Sequence, residues 1–177
     1  MSLPEGLNLE VSIDCTSWKK TLPDYEAIIS KSVEMIFLKL PEGPAINKFP
    51  NIELGVVLCD DARIRKLNRE YRGNDSATNV LSFEGLSVDQ RDDYFRSDKV
   101  APNSPFSLGE IYIAFQTMEK EADDAAISLG DHFSHMIIHG ILHLFGYDHI
   151  QDEEAEIMEA HERCLLSHLG IDDPYAA

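Results

Sequence analysis

Three histidines within eleven residues, His139, His143 and His149, have the side-chain type and the spacing to hold a metal ion. On a helix the first two lie one turn apart on one face, with Cβ atoms about 6 Å apart. Both imidazoles can then reach one ion at about 2.0–2.1 Å per Zn–N bond. Gly146 can take the positive φ that ends a helix, and the chain can turn back to bring His149 to the same ion. Three protein ligands leave a fourth position for water, which separates catalytic zinc from structural zinc.

The surroundings of the triplet favour a metal over three unrelated histidines. Phe133, Met136, Ile137, Ile138, Ile141, Leu142, Leu144 and Phe145 flank it on nearly every side, and a helix apolar all round is buried. Imidazoles buried without partners cost on the order of 1–3 kcal/mol each; an ion satisfies them. The expected cofactor is one zinc ion per chain, although three imidazoles also suit nickel or iron. His132 and His135 share the helix face but lie one or two turns away, so they are read as ordinary hydrogen-bonded histidines. Asp148 is read either as a carboxylate that orients a ligand imidazole or as a cap for the next turn. Tyr147 is read as packing. The ligand spacing matches the H-E-x-x-H-x-x-G-x-x-H pattern of metzincin proteases, but Gly140 stands where their general-base glutamate would be. Peptide hydrolysis by that mechanism needs the carboxylate beside the metal-bound water.

The charge is unevenly spread. The formal net charge is −17 over 177 residues, which by itself argues against a nucleic-acid partner. Between positions 63 and 72, however, Arg63, Arg65, Lys66, Arg69 and Arg72 face a single acid, Glu70. A basic patch on an acidic body can still hold a polyanion, because repulsion is screened beyond about 8–10 Å.

The elements that must position these groups follow from periodicity. Alternation over Leu7–Asp14 and the apolar run Ile52–Leu58 predict strands. Pro23–Leu40 has helical spacing, with Pro23 suited to a first turn. Asp60 or Asp61 can cap a helix through about Tyr71. Val80–Phe83 and Leu108–Phe115 read as further strands. Residues 41–50 and 86–105 show no clear period and are read as loops, the second long enough to be a mobile excursion near the site. Helices are expected from Gln116 to Ile127, from Asp131 to Phe145 and from Asp152 to Leu169. The result is one α+β domain over residues 1–177: a small mixed four-stranded sheet with about five helices, and the metal site on a buried helix and the turn after it. No apolar run approaches the roughly 18 residues of a membrane span. The acidic, Pro4- and Gly6-broken start does not read as a signal peptide. Cys15, Cys59 and Cys164 form no C-x-x-C pair and fit reduced thiols in a cytoplasm.

H-G-x-L-H-L-x-G-Y-D-H at 139–149 resembles the signature of the YbeY family of bacterial single-strand-specific endoribonucleases. The run from Leu67 to Gly73, followed by Thr78-Asn79-Val80-Leu81-Ser82-Phe83, is similar to that family's L-N-x-x-Y-R…T-[DN]-V-L-S-F segment, and Leu108 to Ile111 to its L-G-D-I strand. Departures are Glu84-Gly85 where a proline is common, Glu110 for aspartate, and a longer 86–105 stretch. The resemblance implies zinc on His139, His143 and His149 and an essential arginine matching Arg72. It also implies work on small-subunit ribosomal RNA and in ribosome quality control, with the small subunit and its assembly factors as partners. The chemistry agrees. Arg72 can grip a phosphate with its planar fork and His139 belongs to the electrophilic half of the site, so these two are the catalytic candidates. Arg63, Arg65, Lys66 and Arg69 can track an RNA backbone or simply form a solvated face. Two other readings share the triplet: a zinc hydrolase of a non-RNA substrate, and a ribosome assembly factor with structural zinc.

Overall fold

The computed structural model describes residues 2–98 and 103–176. Alternating residues build β1 (Leu7–Ile13) and β2 (Ile52–Cys59), which run parallel with Leu9 opposite Leu54 and Val11 opposite Val56. Parallel pairing needs a crossover; it is supplied by α1 (Ser17–Thr21), α2 (Tyr25–Lys39) and the four-residue α3 (Gly43–Ile46). From β2 the chain enters α4 (Asp61–Arg72). Asp60 caps it by accepting the Arg63 amide at 2.8 Å. Next comes β3 (Val80–Glu84), then α5 (Val88–Phe95), then β4 (Phe106–Ala114). β4 inserts parallel to β2, and β3 pairs antiparallel on its far side, so the order is β1-β2-β4-β3 with β3 at an edge. Three helices finish the chain: α6 (Phe115–Ala125), α7 (Leu129–Leu144) and α8 (Asp152–His168).

The α+β class, the mixed four-stranded sheet and the five long helices are as the periodicity predicts. Among the described residues, three short helices are additional. The most consequential is α5, which occupies the first half of the stretch read as a loop; residues 99–102 of that stretch lie outside the described residues. Ser87 and Gln90 form a reciprocal capping box at its start. Its charged sequence hides the helical period, and burial of Arg91 and Phe95 holds it in place.

The sheet has two covered faces. Ile52, Leu54, Val56 and Leu58 of β2 and Leu108, Ile111 and Ile113 of β4 belong to the main core, with α2, α7 and α8. Cys59, Ile64, Leu81 and Ala114 form a smaller cluster under α4. α7 is the central helix and packs against α2, α6, α8, β3 and β4. Phe133, Ile137, Ile138, Ile141, Leu142 and Leu144 on it are fully buried, each contributing about 1.5–3 kcal/mol. The histidines of α7 are thus mounted on the most firmly packed helix of the fold. Among the described residues, no helix is long and apolar enough to cross a membrane.

Candidate metal centre

His139 and His143 project from α7, and His149 from the turn that follows. Gly146 takes φ +95°, a conformation that side chains rarely adopt, and that reversal brings His149 back to the helix. The ring centroids of His139 and His143 are 4.7 Å apart, those of His139 and His149 5.7 Å, and those of His143 and His149 5.2 Å. One donor nitrogen from each lies within 4.8 Å of the other two. The Nε2 atoms of His139 and His143 are 3.1 Å apart. Two imidazoles bound tetrahedrally at the usual zinc distance would be separated by about 3.3 Å, so this pair is spaced for a zinc-sized ion and His149 lies near enough to complete the set. His143 is also chemically ready to bind. Burial, then the neighbouring His139 and His149, push its pKa down to about 4, so its ring is neutral at pH 7.

Partners behind the rings fix which nitrogen faces the ion. His139 Nδ1 is 2.5 Å from Glu162 Oε1, leaving Nε2 for the metal. Glu162 comes from α8 and is fully buried. Burial alone would raise its pKa, but hydrogen bonds from His135 and His139 and the charge of His139 outweigh that and hold it down at about 2. His143 Nδ1 faces the Tyr147 carbonyl at 2.9 Å, which again frees Nε2. Carboxylate–imidazole–metal and carbonyl–imidazole–metal chains of this kind set tautomer and ring orientation. Asp148 accepts the backbone amide of His149 at 2.7 Å and lies 3.8 Å from its Nδ1. It thus steadies the turn, and it does not cap α8, whose N-cap is Gln151.

The turn is clamped from outside. The Tyr147 hydroxyl donates to both oxygens of buried Glu42 at 3.0 Å. Arg96, just past α5, donates to Glu42 at 3.3 Å and to the Phe145 carbonyl at 3.2 Å. Arg91 of α5 pairs with Glu84 at 2.8 Å, and its Nε lies only 2.9 Å from where a Cβ on Gly146 would stand. Arg91 of α5 and Arg96 just after it therefore bring the first half of the stretch to the site, where they brace the ligand-bearing turn.

A cleft of about 450 Å³ joins the triad to the edge strand; Arg72, Asn79, Ser82 and Glu84 line it with His139, His143, Asp148 and His149. This lies within the range of about 300–1,000 Å³ typical of ligand clefts. Arg72 reaches over β3 from the end of α4, and its Nη2 donates to the Ser82 carbonyl at 3.0 Å. That bond draws the exposed guanidinium over the strand edge, and one bond occupies only part of its five N–H donors. The rest of the basic stretch lies elsewhere. Arg65 bonds Asp75 at 2.9 and 3.1 Å; Arg69 also approaches Asp75, Arg63 faces Asp14 and Lys66 faces Glu70, at 3.7–3.9 Å. None of these four lines the cleft. His132 bonds Glu121 at 2.7 Å, as an ordinary satisfied histidine. His135 instead shares Glu162 with His139, so it belongs to the surroundings of the centre.

Glu162 is the residue that sequence reasoning missed. It lies 23 positions after His139, on another helix. A signal was present: it falls on the same inward stripe as Met158, Leu165 and Leu166, and a carboxylate on a buried stripe needs partners. Gly140 proves to have a packing reason too. A Cβ there would meet Ile111 Cγ2 and Val80 Cγ2 at 3.1 Å, tighter than ordinary contact, so a side chain at this position requires those neighbours to shift.

Comparison with known proteins agrees with this geometry. The family model described as endoribonuclease YbeY matches residues 12–170. A protein of Paramagnetospirillum magneticum named endoribonuclease YbeY is 44% identical over 171 residues, covering 96% of each chain. One of the same name from Bradyrhizobium diazoefficiens is 42% identical over 176 residues, covering 99% of this chain and 89% of its own. A solution structure of a Thermotoga maritima protein aligns over 96% of this chain and 100% of its own, with a TM-score of 0.51 and 22% identity; it shares the fold. By the match of the family model over nearly its whole length and by these relatives, the chain belongs to the endoribonuclease YbeY family.

Proposed function

We propose that this protein is a zinc-dependent endoribonuclease that cuts single-stranded RNA, acting in the cytoplasm in maturation of small-subunit ribosomal RNA and in ribosome quality control. The carrying observation is the placement of Arg72 and the three histidines on one cleft, from elements far apart in sequence. Family membership supports RNA as the substrate class; the ribosomal small subunit and its assembly factors are the partners this reading proposes. His139, His143 and His149 would hold the ion, which when bound supplies a Lewis acid for the charge that develops on the phosphate.

The protein's own groups do the rest. Arg72, anchored on the Ser82 carbonyl, presents its free N–H groups to the non-bridging oxygens. Glu162 and the Tyr147 carbonyl take up the Nδ1 atoms of His139 and His143 and so aim the Nε2 atoms into the cleft. With histidines counted as neutral, one guanidinium and two carboxylates, Glu84 and Asp148, make the lining net negative before an ion binds. Phosphate binding in this cleft therefore depends on the cation as well as on Arg72. Arg63, Arg65, Lys66 and Arg69 are exposed, and their surface ion pairs are weak, worth about 0–1 kcal/mol each. They can exchange those partners for phosphates of a strand leaving the cleft. A peptide hydrolase of metzincin type is disfavoured by the absence of a carboxylate at position 140. The test is cleavage of one RNA, single-stranded and as a duplex, by wild type, Arg72→Ala and His143→Ala. Loss in both variants and preference for the single strand are expected; equal rates in all three proteins would contradict the proposal.

A further inference from the structure

After α8 the chain reverses, with the Ile171 amide bonded to the Leu166 carbonyl at 3.0 Å. It then lays Tyr175 against the back of the histidine cluster. Its hydroxyl donates to Glu162 Oε2, and the same oxygen lies 3.3 Å from His135 Nε2. The other oxygen, Oε1, faces His139 Nδ1. We infer that Tyr175 is a positioning residue of the metal centre: by bonding Oε2 it fixes the Glu162 carboxylate so that Oε1 holds His139 in its metal-facing orientation. This rests on the reading that His139, His143 and His149 hold the ion.

The arrangement is built rather than incidental. Glu162 is completely buried and relies on N–H and O–H donors for its stabilisation. At Oε2 the 3.3 Å contact of His135 is longer than an ordinary N–H···O bond, so the Tyr175 hydroxyl is the firmer donor there; with His139 at Oε1 it fixes the carboxylate plane, which sets the plane of the imidazole. Tyr175 is itself fixed. Its ring meets His135 edge-on at 5.7 Å between centroids. The Arg163 guanidinium lies 5.6 Å from its ring centre, and its amide bonds Asp173 at 2.8 Å.

His135, His139 and Glu162 also have donor atoms close enough to one another to hold an ion of their own. The hydrogen bonds argue against that use. The two Glu162 oxygens address different histidines rather than converging, and His139 would have to lose both ring protons to ligate on both sides.

The experiment measures zinc affinity of the full chain by competition with a chromogenic chelator, together with the visible spectrum of the Co²⁺-loaded form. It compares wild type, Tyr175→Phe, Glu162→Gln and the double variant. Phenylalanine keeps the ring contacts and removes only the hydroxyl. Glu162→Gln is expected to weaken zinc binding about 10–100-fold, as loss of an outer-shell partner does, and Tyr175→Phe by a smaller factor of about 3–10. Tyr175→Phe is expected to shift the Co²⁺ spectrum and to add nothing in the Glu162→Gln background. If Glu162→Gln does not fold, the affinity and spectrum of Tyr175→Phe decide alone. Unchanged affinity and spectrum in Tyr175→Phe, an additive loss in the double variant, or a second zinc ion per wild-type chain would each overturn the inference. The readout needs no RNA, so failures can be told apart. Wild type that binds no zinc overturns the metal reading along with this one, whereas tight binding indifferent to Tyr175 overturns only the role of Tyr175.

Discussion

Ser82 Oγ donates to the Gly140 carbonyl at 2.8 Å, tying the edge strand that carries the cleft to the helix that carries the metal ligands. The bond is possible because α7 lies close on β3, and it lies close because position 140 has no side chain. A Cβ there would also stand 3.4 Å from Ser82 Oγ. Overpacking of this kind costs about 1–3 kcal/mol. Gly140→Glu is therefore expected to lower stability by about 1–3 kcal/mol, read by denaturant unfolding. A Gly140→Glu protein as stable as wild type would show that Ile111 and Val80 give way without cost.

Arg72 is held by one bond to a carbonyl and must offer a fork to the substrate. Arg72→Lys keeps the charge but can satisfy Ser82 or the phosphate, not both in the same geometry. Turnover of single-stranded RNA is expected to fall about 100- to 1,000-fold, the usual cost of one transition-state donor, while zinc affinity stays at the wild-type value. A lysine variant with full turnover would reduce Arg72 to a general charge.

Tyr147 acts on the site through Glu42. Tyr147→Phe removes both hydroxyl contacts of a buried carboxylate, which costs about 1–3 kcal/mol. It also loosens the turn bearing His149. Thermal unfolding should report the stability loss. Weaker zinc binding at normal Arg72-dependent turnover of the fully loaded form should report the loosened turn. Zinc binding equal to wild type would mean that the turn is fixed without this clamp.

His143 gives the metal-free protein a defined acid response. Its folded pKa of about 4 lies below the unfolded value near 6.5. Between those limits the unfolded chain binds the extra proton, so this group makes stability rise with pH across the window and fall as pH drops from about 6.5 to 4. Histidine ring resonances of metal-free protein, followed by NMR, should show one imidazole titrating near 4 that is absent in His143→Ala. Titration of every ring near 6.5 would contradict the burial argument.

The local parts of this site were legible in the sequence, and the non-local parts were not. His139, His143, Gly146 and His149 are set by helical period and one turn, and the structure brings the three imidazoles together as their spacing predicts. Arg72 entered through family resemblance, because nothing in its own helix says that the side chain crosses a strand edge to Ser82. Glu162 left only the trace of a carboxylate on an inward stripe and Tyr175 left none, because helix packing and a chain reversal create their contacts. The α5 helix was missed for a different reason. Its capping box at Ser87 and Gln90 was readable, but burial of a charged Arg91 replaces the apolar period that normally reveals a helix.

The central claim is that His139, His143 and His149 hold one ion on which RNA cleavage depends. The most direct measurement is metal content of untagged protein by elemental analysis, paired with single-stranded RNA cleavage before chelation, after chelation and after zinc is returned. The account predicts one zinc per chain, loss of both RNA binding and cleavage on chelation, recovery with zinc, and neither metal nor recovery in His143→Ala. Undiminished cleavage by metal-free protein or by His143→Ala would contradict it.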